Sequence, residues 1–245
     1  MISVVCVYNN KQVLREYLES SLDIQTAGFE KILIDNSQNK YESAAKALNE
    51  GAARATGKYV LFVHQDVRFY PETWLSDAEK MLDSLRNVGI AGVAGKKDWF
   101  GVKTVITQGD PPHQAGSFPS AEPLMVQTVD ECLFFVPREV FAAVNFDERV
   151  CDNWHLYAVE YSLSVREMGL VAYVLPLNVY HKSMGQFSEA YYAVLKKVIG
   201  KHKKHYSIIF ATTGNWITVI PVKIQRAGYS FWRIILGFVA SGRAR

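Results

Sequence analysis

The chain has 245 residues, 49% hydrophobic and 21% charged, so it can bury a full core and does not resemble a disordered chain. Its formal net charge of +3 is too small to indicate that the whole surface binds nucleic acid. Cys6, Cys132 and Cys151 lack any paired spacing, which argues against a disulfide framework or a zinc ribbon and favours a reducing compartment. No secretory signal is visible, so we expect a cytoplasmic protein.

Short apolar strands alternate with amphipathic helices in the first third of the chain. The expected strands are 2–8, 31–35 and 59–63, and the expected helices are 13–22, 41–55 and 71–85. This order predicts right-handed crossovers and a parallel sheet, with the carboxyl ends of its strands at one edge.

Each of these strands ends in polar side chains. They are Tyr8 and Asn9 after the first strand, Asp35 and Asn36 after the second, and His64, Gln65 and Asp66 after the third. If the chain stays extended, His64 and Asp66 point into the same space, at the edge where open α/β sheets bind ligands. A divalent cation held there could bind a phosphate. On these two residues alone, a solvated turn is about equally favoured.

The second half of the chain is less regular. We expect a strand over 88–94, an irregular stretch over 95–127 that is functional or mobile, and a strand over 129–136 that carries Asp130 and Glu131. A helix is expected over 156–168, and extended segments over 171–175 and 178–180 lead to His181. A lone histidine is more often structural than a ligand, but His181 could complete the coordination begun by His64 and Asp66.

Residues 186–245 are expected to form a helical, basic and amphipathic extension that packs on the preceding domain. The expected helix after Phe187 ends in a cluster of lysines and histidines, which is usually a solvated face but could also meet pyrophosphate or an anionic membrane. From residue 206 onward, polar residues interrupt every apolar run long enough to span a bilayer. Interfacial attachment therefore stays open, whereas spanning is not expected.

Several segments, taken in order, resemble inverting glycosyltransferases of family 2. They are Ser3–Asn9, Ile32–Ser37, Asn49–Gly51, Gly57–Asp66, Phe146–Glu148, the helix with Glu160 and Gly169, Val171–Pro176 and Tyr180-His181. The resemblance covers residues 1–185. It implies the GT-A fold, an α/β architecture with a mostly parallel central sheet flanked by helices. One half is then a Rossmann-like nucleotide-binding unit and the other binds the acceptor.

The resemblance also implies roles for the strand-end residues. Base and ribose contacts fall to Tyr8, Asn9 and Asp35, with Asn36 and Gln65 beside them in the nucleotide site. The family's D-x-D metal motif corresponds here to His64-Gln65-Asp66, and His181 matches a histidine that closes the metal site in some members. His64 departs from the pattern and removes one negative charge. An imidazole ligand favours manganese over magnesium, which prefers oxygen.

The catalytic base is the larger departure. The family carries an acidic pair near the start of the helix before Gly169, and this chain has Tyr157-Ala158 there. Glu160 keeps an acidic match and is the preferred candidate, with Asp152 on a nearby loop as the second. Taken in isolation, Glu160 has two explanations, an exposed helix residue or a partly buried site residue, and the first is favoured by about two to one. Asp130, Trp154 and His155 are expected to bind the acceptor.

The expected activity is metal-dependent transfer of a sugar from a nucleotide-diphosphate sugar, UDP-linked by default, with inversion. The cofactor would be manganese or magnesium. The acceptor would be a glycan, a lipid-linked molecule or a small molecule, and no nucleic acid is expected as a partner. We expect a cytoplasmic enzyme that allows peripheral contact with the inner face of the membrane. Two alternatives are a non-catalytic module that binds nucleotide sugars or glycans, and a nucleotidyltransferase of similar fold.

Overall fold

The computed structural model describes residues 1–118, 120–183, 185 and 187–227. The strands are β1 (Ile2–Tyr8), β2 (Phe29–Asp35), β3 (Tyr59–Val63), β4 (Val67–Phe69), β5 (Val88–Gly92), β6 (Ala94–Lys96), β7 (Lys103–Thr104), β8 (Ile106–Gln108), β9 (His113–Gln114), β10 (Leu124–Val126), β11 (Thr128–Val129), β12 (Leu133–Pro137), β13 (Val171–Val174), β14 (Val179–His181), β15 (Ile208–Ala211) and β16 (Gly214–Ile217). The helices are α1 (Lys11–Leu14), α2 (Ser20–Leu22), α3 (Ala44–Ala52), α4 (Trp74–Ser84), α5 (Arg138–Ala143), α6 (Tyr157–Glu167) and α7 (Glu189–His202). A π-helical turn, Arg15–Glu19, joins α1 to α2.

A seven-stranded sheet in the order β10-β13-β5-β12-β3-β1-β2 forms the centre of the molecule. Strand β1 pairs in parallel with β2 and β3, and β13 pairs in parallel with β5. Only β12 and β10 run antiparallel to their neighbours in this sheet. The predicted mostly parallel α/β architecture is thus confirmed, and β1, β2 and β3 match the strands expected from the sequence.

Helices cover both faces of this sheet, because its central strands β3 and β12 are apolar at every position. Val5, Val60 and Phe62 point to the face covered by α3, α6 and α7. Leu61 and Val63 point to the other face, covered by α4 and the helical segment from α1 to α2. Side chains buried to this degree each contribute about 1.5–3 kcal/mol to the stability of the fold.

The segment from 94 to 126 contains more regular structure than expected. Strands β6 to β10 are two or three residues long. β6 and β7 join β11 in one small sheet, ordered β11-β6-β7, and β8 and β9 join β4 and β14 in another, ordered β4-β14-β8-β9, whereas β10 pairs with β13 at the edge of the central sheet. A long stretch rich in Gly, Pro and Ser gave no periodic signal because such short strands are specified by tertiary pairing rather than by local pattern.

The strand expected over 129–136 is interrupted. Thr128 and Val129 form β11, which pairs with β6, whereas β12 begins at Leu133 and pairs with β3 and β5. Asp130, Glu131 and Cys132 therefore form a connection between two sheets instead of the middle of one strand. The carboxylates of Asp130 and Glu131 therefore lie on a connection and not within a strand.

The extension after residue 185 is helical only in part. Helix α7 agrees with the sequence, but residues 208–217 form the antiparallel β15–β16 hairpin instead of a further helix. Phe187, which precedes α7, is 48% exposed, whereas His202, from the cluster of lysines and histidines that the sequence favours as a solvated face, is fully buried. No helix among the described residues is long and apolar enough to cross a membrane.

Candidate functional site

Two adjoining pockets open at the carboxyl edge of β1 and β3. The first has a volume of about 540 Å³ and is lined by residues that follow β1, β2 and β3. The second has a volume of about 380 Å³ and lies between the 94–115 segment, the loop before β12 and the start of α6. His64, Trp154 and Ser183 line both pockets. A ligand in one pocket can therefore meet a ligand in the other at His64.

His64, Asp66 and His181 converge at this junction. Strand β4 follows Asp66 and pairs antiparallel with β14, opposing Val67 to His181, and this pairing brings the two distant segments together. His181 Nε2 lies 3.4 Å from His64 Nδ1 and 3.4 Å from Asp66 Oδ1. The Ser183 backbone N–H donates to Asp66 Oδ2 over 3.0 Å. The coordination group expected from the sequence is thus assembled by the β4–β14 pairing.

The electrostatics of this cluster keep His64 and Asp66 in the protonation states that bind metal ions. Burial, followed by the nearby His181, lowers the pKa of His64 to about 4, so its imidazole is neutral near pH 7. Burial alone would raise the pKa of Asp66, but hydrogen bonds with His181 and Ser183 outweigh it and hold that pKa well below its usual range. A neutral imidazole and an ionised carboxylate are the forms that bind metal ions.

The geometry fits a divalent metal ion. One ligand atom from each of His64, Asp66 and His181 lies within 4.8 Å of the others. Metal–ligand bonds of about 2.0–2.6 Å place neighbouring ligand atoms roughly 3–4 Å apart. Two imidazoles and one carboxylate suit manganese and other transition metals better than magnesium.

The first pocket brings together most of the expected nucleotide-site residues. Tyr8, Asn9, Asn36 and Gln65 line it, whereas Asp35 does not and instead accepts a 3.0 Å hydrogen bond from the Tyr8 hydroxyl. Hydrogen bonding from Ser37, and then from Tyr8, holds the pKa of Asp35 below its usual range. Asp35 therefore lies outside the pocket and orients the side chain of Tyr8, which lines it.

Two of these residues are already engaged in holding the loops. Gln65 Oε1 accepts the backbone N–H groups of Asn9 and Asn10, and Gln65 Nε2 donates to Asn9 Oδ1. Asn36 is 5% exposed and is bonded to Tyr41 through both its amide oxygen and its amide nitrogen. Both side chains fix the shape of the pocket, since Gln65 joins the ends of β3 and β1 and Asn36 holds the loop that follows β2.

The second pocket contains the three residues expected to bind the acceptor. Asp130, Trp154 and His155 all line it. Trp154 is 39% exposed at the junction with the first pocket, and His155 contacts Ser188 and the ring of Tyr191. Burial lowers the pKa of His155. An exposed indole beside a carboxylate offers a stacking face and a hydroxyl acceptor, the two contacts that a sugar ring needs.

The structure does not support either residue expected as catalytic base. Glu160 is 1% exposed, lines neither pocket, and is bonded to Lys201, His202 and Ser164 at 2.5, 3.3 and 2.8 Å. Burial alone would raise its pKa, but hydrogen bonds from His202 and Lys201 hold that pKa below its usual value. Glu160 therefore has a structural role, in which it links α6 to α7.

Asp152 also lies outside both pockets. It is exposed and forms an ion pair with Lys197 on α7. Because this carboxylate is engaged by a lysine at the surface and lines neither pocket, the structure does not support it as the base.

Sequence reasoning missed two side chains at the centre of the site. Tyr157, at the first position of α6, places its hydroxyl 3.0 Å from His64 Nε2. Lys182 lines the first pocket, with its ammonium 4.9 Å from the ring centroid of Tyr17. The position of Lys182 directly after His181 was the available signal; nothing in the sequence pairs Tyr157 with His64.

These features define a class of protein. A central sheet of this strand order, with a candidate metal group and a pocket at the carboxyl edge of its parallel strands, is the GT-A fold of glycosyltransferases. The model of the "Glycosyltransferase like family" matches residues 3–202, and the chain therefore belongs to this family. No curated protein matches the sequence.

Solved structures agree on the fold. GalNAc-T7, crystallised with UDP, GalNAc and Mn2+, superposes with a TM-score of 0.61 at 14% identity, over 84% of this chain and 50% of that chain. The mannosyltransferase PcManGT from Pyrobaculum calidifontis, in complex with GDP-Man and Mn2+, gives 0.55 at 15% identity, over 84% and 64%. S. aureus TarS 1–349, in complex with UDP-GlcNAc, gives 0.54 at 16% identity, over 82% and 66%. This chain thus spans between half and two thirds of each of these proteins.

Proposed function

We propose that this protein transfers a sugar from a nucleotide-diphosphate sugar to an acceptor hydroxyl with inversion at the anomeric carbon. The observation that carries the proposal is the junction of two pockets at His64, where His64, Asp66 and His181 lie within ligand distance of one another. Such a junction lets a donor diphosphate and an acceptor meet at one metal site, which a simple binding module does not need.

The first pocket suits a nucleoside diphosphate. Tyr8, held by Asp35, offers an aromatic face, and the polar side chain of Asn9 lines the pocket after β1. UDP is the nucleotide we propose, supported by the UDP and UDP-GlcNAc complexes of the structural neighbours, although one neighbour holds GDP-Man.

The leaving diphosphate needs positive charge. A divalent ion at His64, Asp66 and His181 would stabilise the negative charge that develops as the sugar departs. We propose manganese, because two of the three ligands are imidazoles and two of the neighbours were crystallised with Mn2+. Lys182 adds a second cation at the pocket wall, and the Tyr17 ring holds its ammonium in place by a cation–π contact.

The second pocket is the proposed acceptor site. Its wall combines the aromatic side chains Trp154 and Tyr191 with the hydroxyls of Thr212 and Thr213, which suits a glycan, a lipid-linked sugar or another hydroxyl-rich small molecule. No nucleic acid partner is proposed. We place the reaction in the cytoplasm, with peripheral contact to the inner face of the membrane through the basic end of α7.

Binding of nucleoside diphosphates and nucleotide sugars tests the proposal. UDP, GDP, CDP and their sugar conjugates would be titrated by calorimetry with Mn2+, Mg2+ or chelator, using wild type, Asp66→Asn and, as control, Asp152→Asn. We expect metal-dependent binding of one nucleotide in wild type and Asp152→Asn, and its loss in Asp66→Asn. Equal affinity with chelator, or an unaffected Asp66→Asn, would rule out the metal assignment.

Product analysis separates the alternative functions. A glycosyltransferase releases the nucleoside diphosphate, a nucleotidyltransferase releases pyrophosphate, and a non-catalytic binding module releases neither. The anomeric configuration of the product, read by proton NMR, tests inversion. Retention of the donor configuration would contradict a single displacement at the anomeric carbon.

A further inference from the structure

The connection between β11 and β12 carries two adjacent carboxylates with no assigned part in catalysis. Asp130 and Glu131 are both half-buried and both line the second pocket. The backbone N–H of His64 donates to the carbonyl of Cys132 over 2.9 Å, so this connection runs directly beside the metal group. The position at the start of α6 where the family pattern has acidic residues holds Tyr157-Ala158 instead.

We infer that Asp130 is the general base of the transfer reaction and that Thr212, on the turn of the β15–β16 hairpin, positions it. The inference rests on the proposed function. It supplies the acidic group that the start of α6 lacks, from a neighbouring connection that lines the same pocket.

Two hydrogen bonds orient the Asp130 carboxylate. Oδ1 accepts the backbone N–H of Cys132 over 3.1 Å, and Oδ2 accepts the Thr212 hydroxyl over 2.6 Å. An ionised carboxylate has about four lone-pair sites, so both oxygens keep capacity for an acceptor hydroxyl. Thr212 lines the same pocket, and the hairpin therefore places its hydroxyl and the base on one wall.

Glu131 has a different role from Asp130. The backbone N–H groups of Leu156 and Tyr157 lower its pKa, against the larger effect of burial, and its Oε1 is buried without a hydrogen-bond partner among the described residues. Leu156 has a left-handed φ of 63°, a strained conformation for a bulky residue, at the start of α6. Glu131 thus lies against the start of α6.

Glu131 is poorly suited to be the base itself. Burial, followed by the neighbouring Asp130, raises the pKa of Glu131 well above its usual value. A carboxyl group that keeps its proton cannot take one from an acceptor hydroxyl.

The step balances without another reactant. The acceptor oxygen forms a bond to the anomeric carbon while the bond from that carbon to the diphosphate oxygen breaks, and the nucleoside diphosphate leaves with the electron pair. The hydroxyl proton passes to the Asp130 carboxylate. A positioned base of this kind accelerates transfer by roughly 100- to 10,000-fold.

Nucleoside diphosphate release tests the inference. Wild type, Asp130→Asn, Glu131→Gln and the control Asp152→Asn would be incubated with Mn2+ and each of UDP-glucose, UDP-galactose, UDP-N-acetylglucosamine and GDP-mannose, with a mixture of simple glycosides as acceptor. We expect Asp130→Asn to lose roughly 100- to 10,000-fold in turnover while keeping wild-type affinity for the nucleoside diphosphate. Wild-type turnover by Asp130→Asn, in a wild type that is active, would overturn the base assignment alone.

Azide separates a missing base from a damaged site. Azide has no proton to lose, so Asp130→Ala with sodium azide should form the inverted glycosyl azide and release nucleoside diphosphate, whereas Asp66→Asn should not. If azide rescues Glu131→Ala and not Asp130→Ala, the base is Glu131 and the inference fails. A wild type that releases nucleoside diphosphate from none of the four donors overturns the proposed function and the inference together.

Thr212 is tested as a positioning residue. Thr212→Val removes the hydroxyl at nearly constant volume and should lower kcat less than Asp130→Asn does, with an unchanged KM for the donor. Thr212→Ser, which keeps the hydroxyl, should restore kcat. Equal kcat values for Thr212→Val and Thr212→Ser would show that the hydroxyl does not position the base.

Discussion

At the level of single residues, the two departures from the family 2 pattern are in contact with each other. His64 stands where the metal motif has a carboxylate, and Tyr157 stands where the acidic pair begins. The Tyr157 hydroxyl lies 3.0 Å from His64 Nε2 and donates to the Glu131 carbonyl over 3.4 Å. With its proton directed to Glu131, Tyr157 accepts from His64 Nε2–H. The His64 Nδ1 lone pair then faces His181 and the metal position.

Tyr157→Phe should therefore weaken Mn2+ binding without removing a ligand. Loss of an outer partner that fixes the imidazole tautomer typically costs about 10- to 100-fold in metal affinity. The Mn2+ affinity would be measured by calorimetry or by electron paramagnetic resonance. Tyr161→Phe, one helical turn further along α6, is a matched control, because its buried hydroxyl has no hydrogen-bond partner among the described residues. Equal Mn2+ affinities for wild type and Tyr157→Phe would disprove the tautomer argument.

The lowered pKa of His64 predicts a pH dependence of stability in the metal-free protein. The unfolded histidine takes up a proton as the pH falls through about 6.5, whereas folded His64 resists protonation down to about pH 4. The unfolded state thus binds more protons in this window, so the free energy of unfolding falls as the pH drops from about 6.5 to about 4. The contribution is on the order of 2–3 kcal/mol.

Urea unfolding with chelator between pH 4.5 and 7.5 measures this effect. Because other groups titrate over the same range, the relevant quantity is the difference between wild type and His64→Gln. As the pH falls, the free energy of unfolding of wild type should decrease relative to that of His64→Gln. Parallel stability curves for the two proteins would show that His64 titrates normally in the folded state.

At the level of elements, α6 and α7 are joined by a buried ionic cluster. Glu160 and Glu167 on α6 contact His202 on α7, which is fully buried, and Glu160 also pairs with Lys201. A carboxylate buried this deeply needs its partners, since an unpaired buried charge is costly. The pairing explains why an acidic residue at the first turns of α6 is structural here.

Glu160→Gln should lower the free energy of unfolding by about 2–3 kcal/mol. This is below the ~3–5 kcal/mol for breaking a fully buried pair, since Lys201 is 35% exposed and keeps its contact with Asp147. Asp152→Asn, which breaks an exposed pair with Lys197, should cost under about 1 kcal/mol. Urea unfolding of the three proteins measures both values. Turnover per folded molecule should stay near the wild-type value in both variants. A loss of turnover in Glu160→Gln alone would show that Glu160 has a catalytic role.

The elements that the sequence predicted well are those whose local pattern and tertiary role agree. Strand β3 is apolar at every position because both of its faces are covered, and the polar residues after β1, β2 and β3 mark the ligand edge. The sequence did not reveal the Asp130 connection, because residues 129–136 were expected to form one continuous strand. Only the pairing of Thr128 and Val129 with β6, and of Leu133 with β3, separates β11 from β12. Likewise, Glu160 could not be recognised as structural before its partner His202 was placed.

At the level of the whole molecule, described residues between 187 and 227 form part of the core. Tyr191, Val194, Leu195 and Val198 on α7 and Trp216 in the hairpin belong to the same buried cluster as Phe62 and Tyr161. The hairpin also joins the site, because Gln127 and Thr128 donate to the β15 carbonyls of Ile208 and Phe210, and Thr212 reaches Asp130. The family match, which ends at residue 202, includes the whole of α7.

A chain truncated after Gly185 should therefore fail to fold cooperatively. The truncation uncovers the α6 face of the core and leaves Glu160 buried without Lys201 and His202, and a domain stabilised by about 5–15 kcal/mol cannot absorb several such losses. Thermal and urea unfolding followed by near-ultraviolet circular dichroism would measure this.

Trp216→Ala in the full chain is a milder change for comparison. Its free energy of unfolding should fall by about 3–5 kcal/mol, because the Trp216 side chain is 2% exposed. A truncated protein with a sharp unfolding transition would instead make residues 1–185 an independent domain. Thr212 would then belong to an accessory segment, and the base at Asp130 would have to work without it.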